Sequence, residues 1–463
     1  MKKIILTALF LIAFNIYFFP AYAIAAEDPE IKAASALLIE QTTGSVLYSK
    51  NASEMAEPAS ITKIMTALVA AEACESGKID PSDTVTVSNK AFFDIEYQSS
   101  FKFLEGEKLK FYDILACCII SSVNETCNMV AEHVAGDSES FVSLMNEYAV
   151  RLGCTGTNFS NTHGLPAENH YTTAEDIYRI VSAAMEYPML AELESSKSYT
   201  IEATNLSGAR QLTTTNKLLD EGSNYFYKYA VGGKTGYTSN AGYCLYSYAE
   251  KGDIKLISII LGAEGIKNED ESTTVMSFVE ARRLLNWGFE SFGWRTVLGT
   301  SDLVAEVPVL MGDGAKSVIL RPQSPVTLYM DLSIPDNSIR REITIYSNDK
   351  LSAPISAGEI LGEVTLSYNG ISLGTTKLVA NTSVKLLRIE YMRSEIISLF
   401  DSTWVKLMLL AAAVIIILYI VFLIRHNRIR KRKLAEDRAR LKAEEALDSS
   451  NNIIDINALR HRR

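Results

Sequence analysis

Apolar and polar positions along the chain fall into a succession of patterns, and each predicts an element. Short apolar segments at 35–39 and 45–48 flank Thr42, Thr43 and Gly44, the layout of a hairpin. Ile61, Met65 and Leu68 then recur at helical spacing, and a second helical stretch runs from about Tyr112 to Val134. Residues 243–249 and 256–261 predict two strands joined through Lys251, Gly252 and Asp253, and a helix from about Thr273 to Phe289 closes this region. From about Trp294 the helical patterns stop. Five of the eleven prolines (Pro308, Pro322, Pro325, Pro335, Pro354) follow, and alternating segments at 342–346 and 363–368 sit between turn clusters containing Asn348, Asp349, Asn369 and Gly370. The change of texture predicts a separate small β-sandwich over 294–390, after a larger domain over 30–292.

Both ends of the chain carry apolar runs. Lys2 and Lys3 precede one from Ile4 to about Phe19, and Ala21, Ala23, Ala25 and Ala26 follow it. This reads as a cleaved secretory signal over 1–26, with an uncleaved anchor as the alternative. Residues 407–424 form an uncharged run, about 27 Å long as a helix and close to the thickness of a bilayer's hydrocarbon. Arg425, Arg428, Arg430, Lys431, Arg432 and Lys433 come directly after it, the flank expected on a cytoplasmic face. The expectation is a single-pass membrane protein: an extracytoplasmic body, a juxtamembrane helix at 391–406, the transmembrane helix at 407–424, and a basic cytoplasmic tail at 425–463.

Composition narrows the classes further. With 463 residues, 48% hydrophobic and 22% charged, the chain has material for two or three domains, which excludes a disordered tail protein or a small disulfide scaffold. The tail from Arg425 holds twelve Lys/Arg against six Asp/Glu, a surplus of +6; the net charge of −10 therefore leaves −16 on residues 1–424. So acidic a body repels phosphate backbones and offers no basic stripe, and nucleic acid is set aside. The six cysteines (Cys74, Cys117, Cys118, Cys127, Cys154, Cys244) match no disulfide or zinc spacing and read as buried free thiols. Only His133, His163 and His170 precede the apolar run at 407–424, without an HExxH pattern, so neither a zinc site nor any other metal or cofactor is expected.

Three short motifs then occur in one order: Ser60-Ile61-Thr62-Lys63, Ser122-Val123-Asn124 and Lys234-Thr235-Gly236. Ser60 and Lys63 stand three apart at the start of a helical pattern introduced by Pro58, so their side chains share a face. A serine hydroxyl is a weak nucleophile until a base takes its proton, and a lysine serves only if burial and nearby cations lower its pKa. Ser122 and Asn124 are polar in an apolar neighbourhood and must hydrogen-bond something. One reading makes them a satisfied turn between helices; the other has Ser122 relay a proton between Lys63 and a leaving amine while Asn124 donates to a substrate amide. Lys234-Thr235-Gly236 is placed to open an edge strand on which an extended peptide lies, with Gly236 removing a side chain where that backbone approaches. Lys234 and Thr235 are suited to holding a terminal carboxylate.

Together these residues resemble the low-molecular-mass penicillin-binding proteins, the serine-type D-alanyl-D-alanine carboxypeptidases. The resemblance spans about 30–390 and includes Pro58-Ala59-Ser60 with Lys63, Ser122-Val123-Asn124, Asn161-Thr162-His163-Gly164-Leu165-Pro166, and Lys234-Thr235-Gly236-Tyr237-Thr238 with Ala241-Gly242-Tyr243. It implies an α+β fold of the β-lactamase/transpeptidase type, a five-stranded antiparallel sheet packed between helices, followed by the small all-β domain. By carry-over, Ser60 is acylated, Lys63 is its base and Ser122 the third catalytic residue. Asn124, Lys234, Thr235, Gly236, Tyr237 and Thr238 bind substrate, the backbone N–H groups of Ser60 and Tyr237 form the oxyanion hole, and His163 is structural. The implied reaction removes the terminal D-alanine from peptidoglycan stem pentapeptides, with β-lactams as inhibitors. The full C-terminal span departs from the family's usual amphipathic membrane helix.

Two rival readings share parts of this pattern. A β-lactamase has the same three motifs, but a class A enzyme adds a glutamate acting on water, and no ExxLN lies between Asn124 and Lys234. A catalytically silent, membrane-anchored peptidoglycan-binding protein would not need all three motifs intact.

Overall fold

The computed structural model describes residues 28–95, 99–347 and 351–458; the signal reading at 1–26 and the turn residues Asn348 and Asp349 lie outside them. The chain divides into two compact units. The first takes the described residues up to Val297 together with Thr327–Arg340; the second takes Leu298–Val326 and those from Arg341 onward.

The first unit is built on a five-stranded antiparallel sheet. Its strands are β1 (Ser35–Glu40), β2 (Ser45–Lys50), β3 (Ala230–Thr238), β4 (Gly242–Lys251) and β5 (Ile254–Ala263), in the order β2-β1-β5-β4-β3. All six residues of β1 are buried, because both faces of the sheet are covered. Leu37, Ile39, Ile257 and Ile259 pack into one core, while Ala36, Leu38, Leu256 and Ile260 pack into another with Phe278, Leu284 and Leu285. Double coverage explains why these strands read as near-continuous apolar runs and not as alternation. β3 is an edge, which leaves one side of its backbone open to a further strand.

Helix α1 (Thr62–Glu75) runs through the first core with eleven of its fourteen residues buried, so it is apolar on nearly every side. The stretch expected as one helix from Tyr112 to Val134 is two, α2 (Phe111–Ile120) and α3 (Asn124–Ala135). Ser122 breaks it by adopting φ +57°, a left-handed conformation in which a helix cannot continue. Helices α4 (Ser138–Arg151), α5 (Ala174–Ala184) and α6 (Pro188–Ser195) complete this lobe. The Asp137 carboxylate starts α4 by accepting from Ser140 N at 2.7 Å. On the other face lies α7 (Met276–Ser291); the expected start near Thr273 is a short strand, Thr273–Val275.

In the second unit, β6 (Ala305–Leu310), β7 (Ser317–Pro322), β8 (Arg340–Ile345), β9 (Leu351–Ser352), β10 (Ile360–Tyr368) and β11 (Ile371–Ala380) form one six-stranded sheet, ordered β8-β10-β11-β7-β6-β9. Two helices follow, α8 (Arg388–Asp401) and α9 (Thr403–Ala458). Among the described residues α9 alone is long and apolar enough to cross a membrane, with an 18-residue window of mean hydropathy 3.3.

Candidate active site

The nucleophile motif opens on a strained turn. Ala59, just before Ser60, has φ +47°, an uncommon conformation for a residue with a side chain. Its carbonyl accepts from Thr62 Oγ1 at 2.8 Å. Thr62 Oγ1 in turn lies 2.8 Å from His170 Nε2, and His170 Nδ1 accepts from Ser160 N at 3.0 Å. With Nδ1 accepting, the neutral ring carries its proton on Nε2 and the chain of donors runs in one direction, from Ser160 through His170 and Thr62 to Ala59. Gly164 closes the other side: it has φ +87°, and a Cβ built on it would stand 1.9 Å from the Ala59 oxygen. The turn that aims Ser60 is therefore clamped by the 160–170 loop.

Lys63, fully buried one helical turn after Ser60, makes three contacts. Its Nζ lies 2.8 Å from Ser60 Oγ, 2.8 Å from Asn124 Oδ1 and 2.6 Å from the His163 carbonyl. The two carbonyl-type oxygens only accept, so in the neutral form of the amine they would take its two N–H groups and leave its lone pair for the Ser60 hydroxyl. Burial pushes the Lys63 pKa down, which favours that neutral form.

Lys234, on β3, is also buried, and its Nζ donates to Ser122 Oγ at 2.7 Å and to the Thr235 carbonyl at 3.0 Å. Desolvation first, and then repulsion from Lys63, bring its pKa down to about 7. Ser122 was expected between Lys63 and the leaving group; its hydrogen bond is instead to Lys234. Asn124 hands its carbonyl to Lys63, and its Nδ2 makes no other hydrogen bond among the described residues.

A cleft of about 310 Å³ lies over these groups, lined by Ser60, Ser122, Thr215, Thr235, Gly236 and Tyr237, among others. The Gly236 position has no room: an added Cβ would sit 3.0 Å from each of Pro58 O, Ala59 Cβ and Ser60 N. Edge strand β3 thus runs against the start of the nucleophile turn. Thr235 Oγ1 meets Thr215 Oγ1 at 2.6 Å, while Tyr237, 57% exposed, stacks on Tyr243 with ring centroids 4.4 Å apart. Thr238 does not line the cleft; it is buried, and its Oγ1 accepts from Ala241 N in the β3–β4 turn at 2.9 Å. Ser60, Lys63, Ser122, Asn124, Lys234, Thr235, Gly236 and Tyr237 therefore converge, and Thr238 serves the turn.

The sequence missed several participants. Thr215, in the Thr213-Thr214-Thr215 run, and Ser277 with Phe278 at the start of α7 complete the cleft. The His163 imidazole is held within its own turn: Nδ1 accepts from Leu165 N at 3.3 Å, and burial lowers its pKa to about 3. What His163 brings to the site is its backbone oxygen, which no residue pattern announces. Behind the lysines, Cys118 Sγ and Cys127 Sγ are 3.2 Å apart and fully buried; all six cysteines are free.

The D-alanyl-D-alanine carboxypeptidase family model matches residues 22–265, just over half of the chain. The chain belongs to that family. A second model, the C-terminal domain of penicillin-binding protein 5, matches residues 292–386 of this family member. Among its relatives, D-alanyl-D-alanine carboxypeptidase DacF of Bacillus subtilis (strain 168) is 33% identical over 356 residues, 76% of this chain and 86% of that protein. D-alanyl-D-alanine carboxypeptidase DacC of Escherichia coli (strain K12) is 30% identical over 381 residues, 80% of this chain and 90% of that one. Penicillin binding protein 5 from Haemophilus influenzae, a solved structure, is 28% identical with a TM-score of 0.55, covering 78% of this chain and 99% of its own.

Proposed function

We propose that this protein is a serine-type D-alanyl-D-alanine carboxypeptidase that removes the terminal D-alanine from peptidoglycan stem pentapeptides. The observation that carries the reading is the Lys63 amine, held by two acceptors with its third contact on Ser60 Oγ. Ser60 attacks the D-Ala-D-Ala carbonyl as its proton passes to Lys63, forming a tetrahedral oxyanion. The Ser60 and Tyr237 N–H groups receive that oxyanion, a role favoured by the close packing of Gly236 on Ser60 N. The substrate backbone lies along edge strand β3, with its terminal carboxylate on Lys234 and Thr235 and an amide on Asn124 Nδ2. Ser122, held on Lys234, passes its proton to the leaving nitrogen as D-alanine departs, and the proton taken up by Lys63 replaces it, which returns Lys63 to the neutral amine. Water then releases the acyl group from Ser60, with Lys63 again as base.

The same reading makes β-lactams acylating inhibitors of Ser60. It places the signal peptide at 1–26, the catalytic domain at 30–292 and the β domain at 294–390. α9 is the membrane anchor, with the catalytic domain outside the cell and the basic segment from Arg425 inside, as the cation-rich flank favours. Labelled penicillin tests it on the detergent-solubilised full chain: wild type takes the label and Ser60→Ala does not. Labelling of the variant would overturn the assignment, and rapid complete turnover of a chromogenic cephalosporin would favour a β-lactamase.

A further inference from the structure

Glu194 is a carboxylate that the reaction above does not use. It sits on α6, which packs against β3, and it is buried. In the β3–β4 pairing Lys234 stands opposite Tyr246 and Gly232 opposite Tyr248. Opposed residues of an antiparallel pair share a face, and so do residues two apart, so Lys234, Tyr246 and Tyr248 all project toward one side. Tyr248 occupies the space a side chain at 232 would need, since a Cβ there would come within 2.3 Å of its ring. Its hydroxyl donates to Glu194 Oε2, and the buried Tyr246 hydroxyl lies beside the same carboxylate.

The groups facing Glu194 are therefore Tyr246 and Tyr248 of β4 and Lys234 of β3. Those facing Lys234 from the other elements are Lys63 of α1, Cys118 of α2 and Cys127 of α3. Two lysines share one desolvated site there, and simultaneous charging of both is disfavoured. Lys63 touches a hydroxyl and two carbonyl-type oxygens and has the Glu125 carboxylate of α3 in its field, while the carboxylate in the field of Lys234 is Glu194. We infer that Glu194 is a positioning residue, the buried counter-charge that keeps Lys234 protonated so that Lys63 is the lysine left neutral. This deepens the proposed function and rests on it: the cation binds the substrate's terminal carboxylate, and the neutral amine deprotonates Ser60.

The test is the pH profile of kcat/KM for D-alanine release from a D-Ala-D-Ala pentapeptide, using the detergent-solubilised full chain. Without the Glu194 charge, Lys234 loses its proton at lower pH. Glu194→Gln is expected to move the alkaline limb toward acid by about one pH unit, mainly through KM, and Glu194→Asp to restore it. Tyr248→Phe removes the donor that helps Glu194 ionise, so the acidic limb is expected to move up while the alkaline limb stays. This variant provides the reading should Glu194→Gln fail to fold. A wild-type alkaline limb in folded Glu194→Gln, an equal loss of activity at every pH, or an unmoved acidic limb in Tyr248→Phe would overturn the inference. A wild-type protein that releases no D-alanine at all would overturn the proposed function instead.

Discussion

The backbone oxygen of His163 lies 2.6 Å from Lys63 Nζ, so a loop a hundred residues away in sequence holds the amine that faces Ser60. With the Asn124 amide oxygen on its other side, the amine is fixed in direction as well as in place. In the proposed mechanism, activation of Ser60 is a property of packing as much as of the motif: burial lowers the lysine's pKa, and two acceptors orient its amine.

Lys63→Arg checks the requirement for a neutral base. A guanidinium fits the same acceptors but does not give up its proton near neutral pH. Acylation by labelled penicillin is expected to slow by about 10² to 10⁴-fold, the span of general-base contributions, with the circular dichroism spectrum unchanged. Wild-type acylation by the arginine variant would show that Lys63 is not the base.

Gly164→Ala tests the clamp on the nucleophile turn. The left-handed backbone and the clash with the Ala59 carbonyl act together, so the substitution must push either the loop or the turn aside. We expect a loss of about 3 kcal/mol or more in urea unfolding, since strain at a special backbone angle and overpacking of a full site are both in play. Gly236→Ala adds its Cβ at contacts of 3.0 Å, so it is expected to cost less stability than Gly164→Ala and to slow acylation by about 10²-fold by displacing β3 from Ser60.

Much of this was legible in the chain, and the failures have physical causes. Each of the three motifs contributes a residue to the cleft, Ser60, Ser122, and Thr235 with Gly236, because polar side chains in an apolar neighbourhood stand out by type whatever surrounds them. β1 and β5 were visible as apolar runs because both their faces are buried. The break at Ser122 was one of two readings of that segment and not the one the periodicity favoured, since its neighbours Ile119, Ile120 and Val123 keep an apolar helical pattern while the backbone turns left-handed. Thr238 matched the motif, yet its hydroxyl is consumed by the turn to Ala241. Backbone oxygens such as that of His163 leave no trace in residue identity at all.

The buried histidines make stability depend on pH. His163 and His170 have pKa values of about 3 and about 4, each below the ordinary 6.5. The unfolded chain binds protons that the folded chain refuses, so the stability these rings permit is complete above about pH 6.5 and drains as pH falls toward 4. Glu194 works in the opposite sense, since burial raises its carboxyl to about 7. His170→Gln is expected to flatten the urea stability profile between about pH 5 and 6 by about 1.4 kcal/mol per pH unit, one group's worth of linkage. An unchanged slope would mean that His170 is protonated in the folded protein.

Thiol reactivity reports on packing behind the site. Cys117, Cys118, Cys127, Cys154 and Cys244 are buried, and Cys74, half-buried, has its thiol pushed up to about 11 by desolvation. A thiol reagent is expected to titrate six groups in the denatured chain and, in the native chain, to reach only Cys74, slowly. Prompt modification of Cys118 or Cys127 would show that the core under the two lysines opens.

The most direct measurement follows a D-Ala-D-Ala pentapeptide by mass spectrometry during incubation with the detergent-solubilised full chain. The prediction is a tetrapeptide, one free D-alanine per turnover, and a transient acyl adduct that maps to Ser60. An intact pentapeptide, or an adduct on any other residue, would contradict the account.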